Sequence, residues 1–153
     1  IRQITEALAT RSDISAVHLV SHGGDGVVQL GSSSLNFDSL LSNAAQIKGW
    51  GNALSGDADL LIYGCDVAAS DAGRSLVDAL ARLTGADVAA SDDITGSASN
   101  GGNWTLEYQD GAVQAQLIFD QSMFGDWSGT LQAITAGGER GECHDVWLMA
   151  RIR

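Results

Sequence analysis

Two residues able to do nucleophilic chemistry stand in matching contexts. His22 closes the run HLVSHGG and Cys65 closes LLIYGCD, each beside a glycine and 43 positions apart. A thiol of ordinary pKa is only slightly ionised at neutral pH; a neighbouring imidazole raises that fraction and carries a proton to a leaving amine. Glycine next to each residue lets a substrate backbone approach, and the amides of Gly23 and Cys65 are placed to hold an oxyanion. Asp25, Asp66, Asp92 and Asp93 fall in turns expected at the same place, where carboxylates favour a basic side chain before a scissile bond. Each of these residues also has a bland use: cysteine closes apolar strands as a small core residue, histidine sits in turns, and surface Asp forms solvated rims, turns and N-caps.

For His22 and Cys65 to face one crevice, neighbouring strands must deliver them to one edge of a sheet. Residues 14–21 (ISAVHLVS) and 59–65 (DLLIYGC) are nearly continuous apolar runs of the kind that form buried parallel strands. Residues 2–10, ahead of the first run, pattern as a short amphipathic helix; between the two runs, 27–30 and 34–37 pattern as a hairpin about Gly31-Ser32-Ser33, and Asp38 as the N-cap of a helix carrying Leu40, Leu41, Ala44, Ala45 and Ile47. Residues 49–56 read as a loop. Ser70 or Asp71 then caps the longest helical pattern, with Leu76, Val77, Leu80, Ala81 and Leu83 on one face and Gly85 past its end. A third apolar run, 86–91, completes a strand-helix-strand crossover and therefore a parallel sheet, whose ligands bind beyond the carboxyl ends of the strands. Residues 103–109 and 112–119 around Asp110-Gly111 predict an antiparallel hairpin. From about Gly125 the periodicity fades, and 132–153 has no assignment.

With 153 residues, 44% of them hydrophobic, the chain has the size of one domain with its own core. A net charge of −11 is opposite in sign to what nucleic acid or an anionic membrane surface attracts. No apolar run reaches the roughly 18 residues of a membrane span. Residues 1–20 lack a basic start followed by an apolar core, so no export signal is expected within them.

An apolar strand ending in His-Gly, followed some 40 residues later by an apolar strand ending in Cys, resembles the clan CD cysteine peptidases: caspases, metacaspases, legumain, gingipains and clostripain. The stretches SAVHLVSHGGDGVVQLG, LLIYGCDVAA, TGADVAASDDITG and GGNWTLE resemble more closely a bacterial caspase-like family of unknown function, found near the N-termini of very large secreted adhesins and calcium-binding repeat proteins. That resemblance covers roughly residues 3–119. It implies an α/β fold, a caspase-like three-layer sandwich with a mainly parallel sheet and a C-terminal β-hairpin over 1–131, beginning with a strand upstream of Ile1. It further implies His22 as general base, Cys65 as nucleophile and Gly23 as an oxyanion donor. The implied substrate is a peptide segment of the chain itself or of a neighbouring surface protein, and the implied location is outside the cell. Tyr63-Gly64-Cys65-Asp66-Val67 departs from the caspase pattern Gln-Ala-Cys-x-Gly, so caspase specificity does not transfer, and Asp66 opposes thiolate formation.

Two rival readings stand beside a peptidase. One is a non-catalytic module serving folding, secretion or assembly of an adhesin. The other is a metal-stabilised binding domain, for which His18 and His22 share a strand face near Cys65 but a fourth ligand is missing, while Cys143-His144 and Asp57-Ala58-Asp59 are only fragments of metal motifs. No cofactor and no metal is expected. Trp50, Trp104, Trp127 and Trp147 are spread along the chain as packing residues.

Overall fold

The computed structural model describes residues 1–119, 122, 127–132 and 147–152, with Trp147 described by its backbone alone. Cys143 and His144 lie outside the described residues. Helix α1 (Arg2–Ala9) buries Ile4 and Leu8, one helical turn apart. It leads into β1 (Ile14–Val20), and a three-stranded antiparallel unit follows: β2 (Gly23–Gly24), β3 (Val27–Leu30) and β4 (Ser33–Leu35). The predicted β3–β4 hairpin is therefore present, with β2 added to it.

The next helix begins two residues earlier than Asp38 suggests and is broken in two. Asn36 caps α2 (Phe37–Ser42), accepting from the Ser39 amide at 2.9 Å while the Ser39 hydroxyl accepts from the Asn36 amide in a reciprocal capping box. Asp38 instead stands in the first turn, where its charge suits the helix dipole. Asn43 leaves helical geometry and its side chain donates to the Ser39 carbonyl at 2.8 Å, which ends α2 before α3 (Ala44–Trp50) starts. The expected 49–56 loop is the end of α3, a 3-10 turn at Gly51–Ala53 and the first residues of β5 (Leu54–Tyr63). The strand starts early because Leu54 pairs with Ile14 across a register shift in β1.

Ser70 caps α4 (Asp71–Thr84), accepting from the Ala72 and Gly73 amides, and Gly85 ends it with a left-handed φ of 74°. The chain then returns as β6 (Asp87–Ala90), and β7 (Tyr108–Asp110) pairs antiparallel with β6. The expected 103–119 hairpin does not form: 112–119 runs along the sheet face rather than pairing with β7. The buried Asp59 carboxylate takes the Gln114 and Ala115 amides at 3.0 and 2.6 Å, and Ile118 donates to the Tyr63 hydroxyl at 3.3 Å, so these backbone groups are satisfied without a ladder. Finally β8 (Trp147–Ile152), within the unassigned 132–153 stretch, lies antiparallel to β1.

The sheet order is β7-β6-β5-β1-β8, with β6, β5 and β1 mutually parallel and both outer strands antiparallel. This is an α/β sandwich built on a mainly parallel central sheet. Strand alternation divides its core. Val17, Leu19, Leu60, Ile62 and Val88 face the layer of helices, whose Leu8, Ile47, Leu76, Val77 and Leu80 cover them. Ala16, Val20, Leu61, Tyr63 and Ala89 face the other way and are covered by Trp104, Leu106, Ile118 and Phe119. A fully buried leucine such as Leu61 or Leu80 contributes about 1.5–3 kcal/mol through burial, so this two-sided core holds the parallel strands in register.

Candidate active site at the carboxyl edge of the sheet

Register brings His22 and Cys65 together. Val20 pairs with Tyr63 at the last rung of the β1–β5 ladder, so His22 and Cys65 each stand two residues beyond it. The two exits are pressed against one another: a Cβ on Gly23 would meet the Cys65 carbonyl oxygen at 2.9 Å and Val67 Cγ2 at 2.8 Å. Only glycine allows that approach.

The Gly23 and Cys65 amides converge on a single oxygen, the carbonyl of Leu131, at 2.8 and 3.3 Å. The adjoining peptide is held too, since His22 Nδ1 lies 2.9 Å from the Gln132 carbonyl oxygen. A carbonyl only accepts, so Nδ1 carries the proton in this arrangement and Nε2 is the basic nitrogen. Residues 129–132 are extended in a groove between the two loops. Leu131 donates to the Thr95 carbonyl and Ser97 donates to the Gly129 carbonyl, both at 2.9 Å, with antiparallel pairing of Gly96 and Thr130 on one side and parallel pairing of Gly23 and Gln132 on the other. Gly96 permits this: its φ is +140° and a Cβ there would lie 2.7 Å from the Gly129 oxygen. The Leu131 side chain packs on the apolar cluster that contains Tyr63 and Trp104.

Cys65 itself is fully buried. Its Sγ accepts from the Thr95 amide at 3.3 Å and lies 3.4 Å from the Thr95 carbonyl. Burial pushes the thiol above its ordinary value; the Thr95 and Leu131 amides pull it back, while the charges of Asp66 and Asp93 push it further up. The resting thiol is therefore protonated.

The four predicted acidic residues stand in two kinds of place. Asp66, directly after Cys65, adopts a left-handed φ of 59° and its amide donates to the Asp93 carbonyl at 2.8 Å. Its carboxyl is raised by burial first and then by the charges of Asp93 and Asp25, which places those three in one electrostatic neighbourhood. Asp25 accepts from the Ser70 amide and hydroxyl at 3.1 and 2.7 Å, tying the glycine-rich turn to the start of α4. Asp93 accepts from Asn103 at 2.9 and 3.1 Å, and the Asp92 amide donates to Glu107. Among the described residues, the group with metal-ligand spacing is Asp92, Asp93 and Glu107, whose oxygens lie within 4.8 Å of one another.

His18 does not join His22. It is buried on the sheet face with Nδ1 3.3 Å from the Tyr63 hydroxyl, and the rings stack at 6.0 Å. Burial and then the Arg151 charge lower its pKa, while burial raises the Tyr63 hydroxyl to about 12 against the pull of the Ile118 amide. Asp59, which suggested a fragment of a calcium loop, anchors the 112–119 segment instead. Trp50 and Trp104 are buried packing residues. Trp127 is 40% exposed, its ring 5.9 Å from that of Trp104. The Trp147 side chain lies outside the described residues.

Sequence patterning missed Thr95, Gly96, Leu131 and Gln132 as site residues. Neither the loop of small polar residues at 96–102 nor the aperiodic stretch after Gly125 carries a signal of what it touches. No helix among the described residues is long and apolar enough to cross a membrane. Comparison with curated proteins and with solved structures found no match. A family model does match residues 1–131, and the chain belongs to that family, described as Domain of unknown function (DUF4347).

Proposed function

We propose that this domain is a caspase-like cysteine endopeptidase of the clan CD type, working within a large secreted bacterial surface protein. The observation that carries the reading is the convergence of the Gly23 and Cys65 amides on one peptide carbonyl, with His22 on the next. In this reading Cys65 Sγ attacks the carbonyl carbon, His22 Nε2 takes the thiol proton as the C–S bond forms, and the two amides hold the oxyanion. Because the resting thiol is neutral, His22 acts as a general base during attack rather than as one half of a preformed ion pair. The packing of Leu131 on the apolar cluster that contains Tyr63 and Trp104 supports a preference for an apolar residue before the scissile bond. Asp25, Asp66, Asp92 and Asp93 supply a negative rim that draws basic side chains to neighbouring positions of a peptide.

The burial of Cys65 against Thr95 favours a second reading, a caspase-like module without chemistry that serves folding or assembly of an adhesin. Hydrolysis of a fluorogenic Gly-Thr-Leu amide by the full chain carrying Leu131→Glu, which removes the apolar anchor of the segment in the groove, separates the two. Turnover that falls about 100-fold or more on adding Cys65→Ala or His22→Ala is expected of the peptidase. Turnover absent, or indifferent to Cys65, leaves the non-catalytic module.

A further inference from the structure

The segment in the groove belongs to the same chain, and its Leu131 carbonyl is the one the Gly23 and Cys65 amides share. We propose that the peptide bond between Leu131 and Gln132 is cut in cis by Cys65, and that residues 132–153 remain attached afterwards through β8; this rests on the peptidase reading above.

The bond is singled out by geometry at both of its ends. On the acyl side, the Leu131 oxygen is the one the Gly23 and Cys65 amides share, and the Leu131 amide is fixed to the Thr95 carbonyl at 2.9 Å. On the leaving side, His22 Nδ1 holds the carbonyl oxygen of Gln132, the residue that supplies the leaving nitrogen, at 2.9 Å. Pairing with Gly96 on one flank and Gly23 on the other keeps the backbone extended, the form in which a peptide bond is open to attack. The segment is delivered by residues 103–119, themselves docked on the sheet, so its effective concentration at the groove exceeds that of any separate peptide.

The step balances with water alone. Sγ bonds to the Leu131 carbonyl carbon while its proton passes to His22 Nε2. The C–N bond then breaks, His22 returns the proton to the Gln132 nitrogen, and a Leu131 thioester of Cys65 is left. Water, deprotonated by His22, attacks the thioester; the C–S bond breaks, His22 returns the proton to Sγ, and the Leu131 carboxyl group, which ionises in water, and the free thiol are left. The released piece carries β8, whose antiparallel pairing with β1 runs from Val20–Trp147 to Ile14–Ile152 and is untouched by the cut.

Denaturing intact-mass measurement on the purified full chain is expected to show two pieces, 1–131 and 132–153, that migrate as one species under native size-exclusion chromatography. Cleavage follows first-order kinetics with a half-time unchanged on tenfold dilution. It is abolished by Cys65→Ala and by Gln132→Pro, an exposed position where proline removes the secondary amide of the leaving nitrogen. A cut at another bond, or one slowed tenfold by dilution, overturns the assignment, and pieces that part under native conditions overturn retention through β8. A wild-type chain that stays intact while the Leu131→Glu chain hydrolyses the Gly-Thr-Leu reporter overturns cis cleavage and leaves the peptidase standing; failure of both removes the peptidase as well.

Discussion

Cys65 is pulled in opposite directions by its neighbours. Burial and the carboxylates of Asp66 and Asp93 favour the thiol, while the Thr95 and Leu131 amides favour the thiolate. Asp66 is the neighbour most readily altered, because Asn accepts the same left-handed φ and so removes the charge without straining the backbone. Asp66→Asn is therefore expected to lower the Cys65 titration midpoint, read from the pH dependence of iodoacetamide alkylation in a Cys143→Ser background. Its own pKa is raised, so at neutral pH its ionised form costs stability, and the melting temperature of Asp66→Asn is expected to match or exceed that of the wild type. An unchanged midpoint would mean that solvent screens the carboxylate from the sulfur.

At the scale of elements, the groove depends on the loop after β6. Its Thr95–Ser97 backbone supplies one wall and clamps Cys65 from behind. Gly96→Ala places a methyl group 2.7 Å from the Gly129 oxygen and 2.8 Å from Thr130 Cα, in a backbone conformation alanine resists. Strain of about 1–3 kcal/mol is expected to release the 129–132 segment and speed Cys65 alkylation roughly tenfold or more. Far-ultraviolet circular dichroism should be preserved, since the two-sided core of β1, β5 and β6 lies elsewhere. Alkylation no faster than in the wild type would show that the segment does not shield the thiol. The 112–119 stretch shows the same economy of backbone partners: Asp59 and Tyr63 satisfy amides that a hairpin would have paired.

At the scale of the whole molecule, acid is expected to destabilise the domain through His18. Its pKa is lowered in the fold by burial and by Arg151, so the unfolded chain binds the proton more readily. The stability linked to His18 is complete above the ordinary histidine value of about 6.5 and is lost as pH falls toward the lowered folded value. Melting temperatures measured between pH 8 and pH 5 should therefore fall, and the fall should shrink in His18→Gln, which keeps a polar partner for the Tyr63 hydroxyl. An equal fall in the variant would assign the acid sensitivity to other groups.

Local patterning was enough to place β1, β5 and β6, because a strand buried on both faces must be apolar throughout, and enough to place α4 with its Ser70 cap and Gly85 stop. It also made His22, Gly23 and Cys65 neighbours, since parallel strands of similar length end at one edge. Caps that compete within two residues, Asn36 against Asp38, are decided by which side chain closes the reciprocal bond with Ser39, and patterning cannot weigh that. The rest belonged to tertiary structure. Whether 103–119 forms a hairpin depends on amide acceptors offered by Asp59 and Tyr63, more than 50 residues away in the chain. Whether the amides at the two strand ends find a partner depends on what fills the groove above them, and here that is Leu131, whose carbonyl meets the Gly23 and Cys65 amides only once the sheet is assembled. Periodicity records the face a residue turns to the core. Pairings between distant backbone groups leave no trace in it, because every residue type carries the same amide and carbonyl.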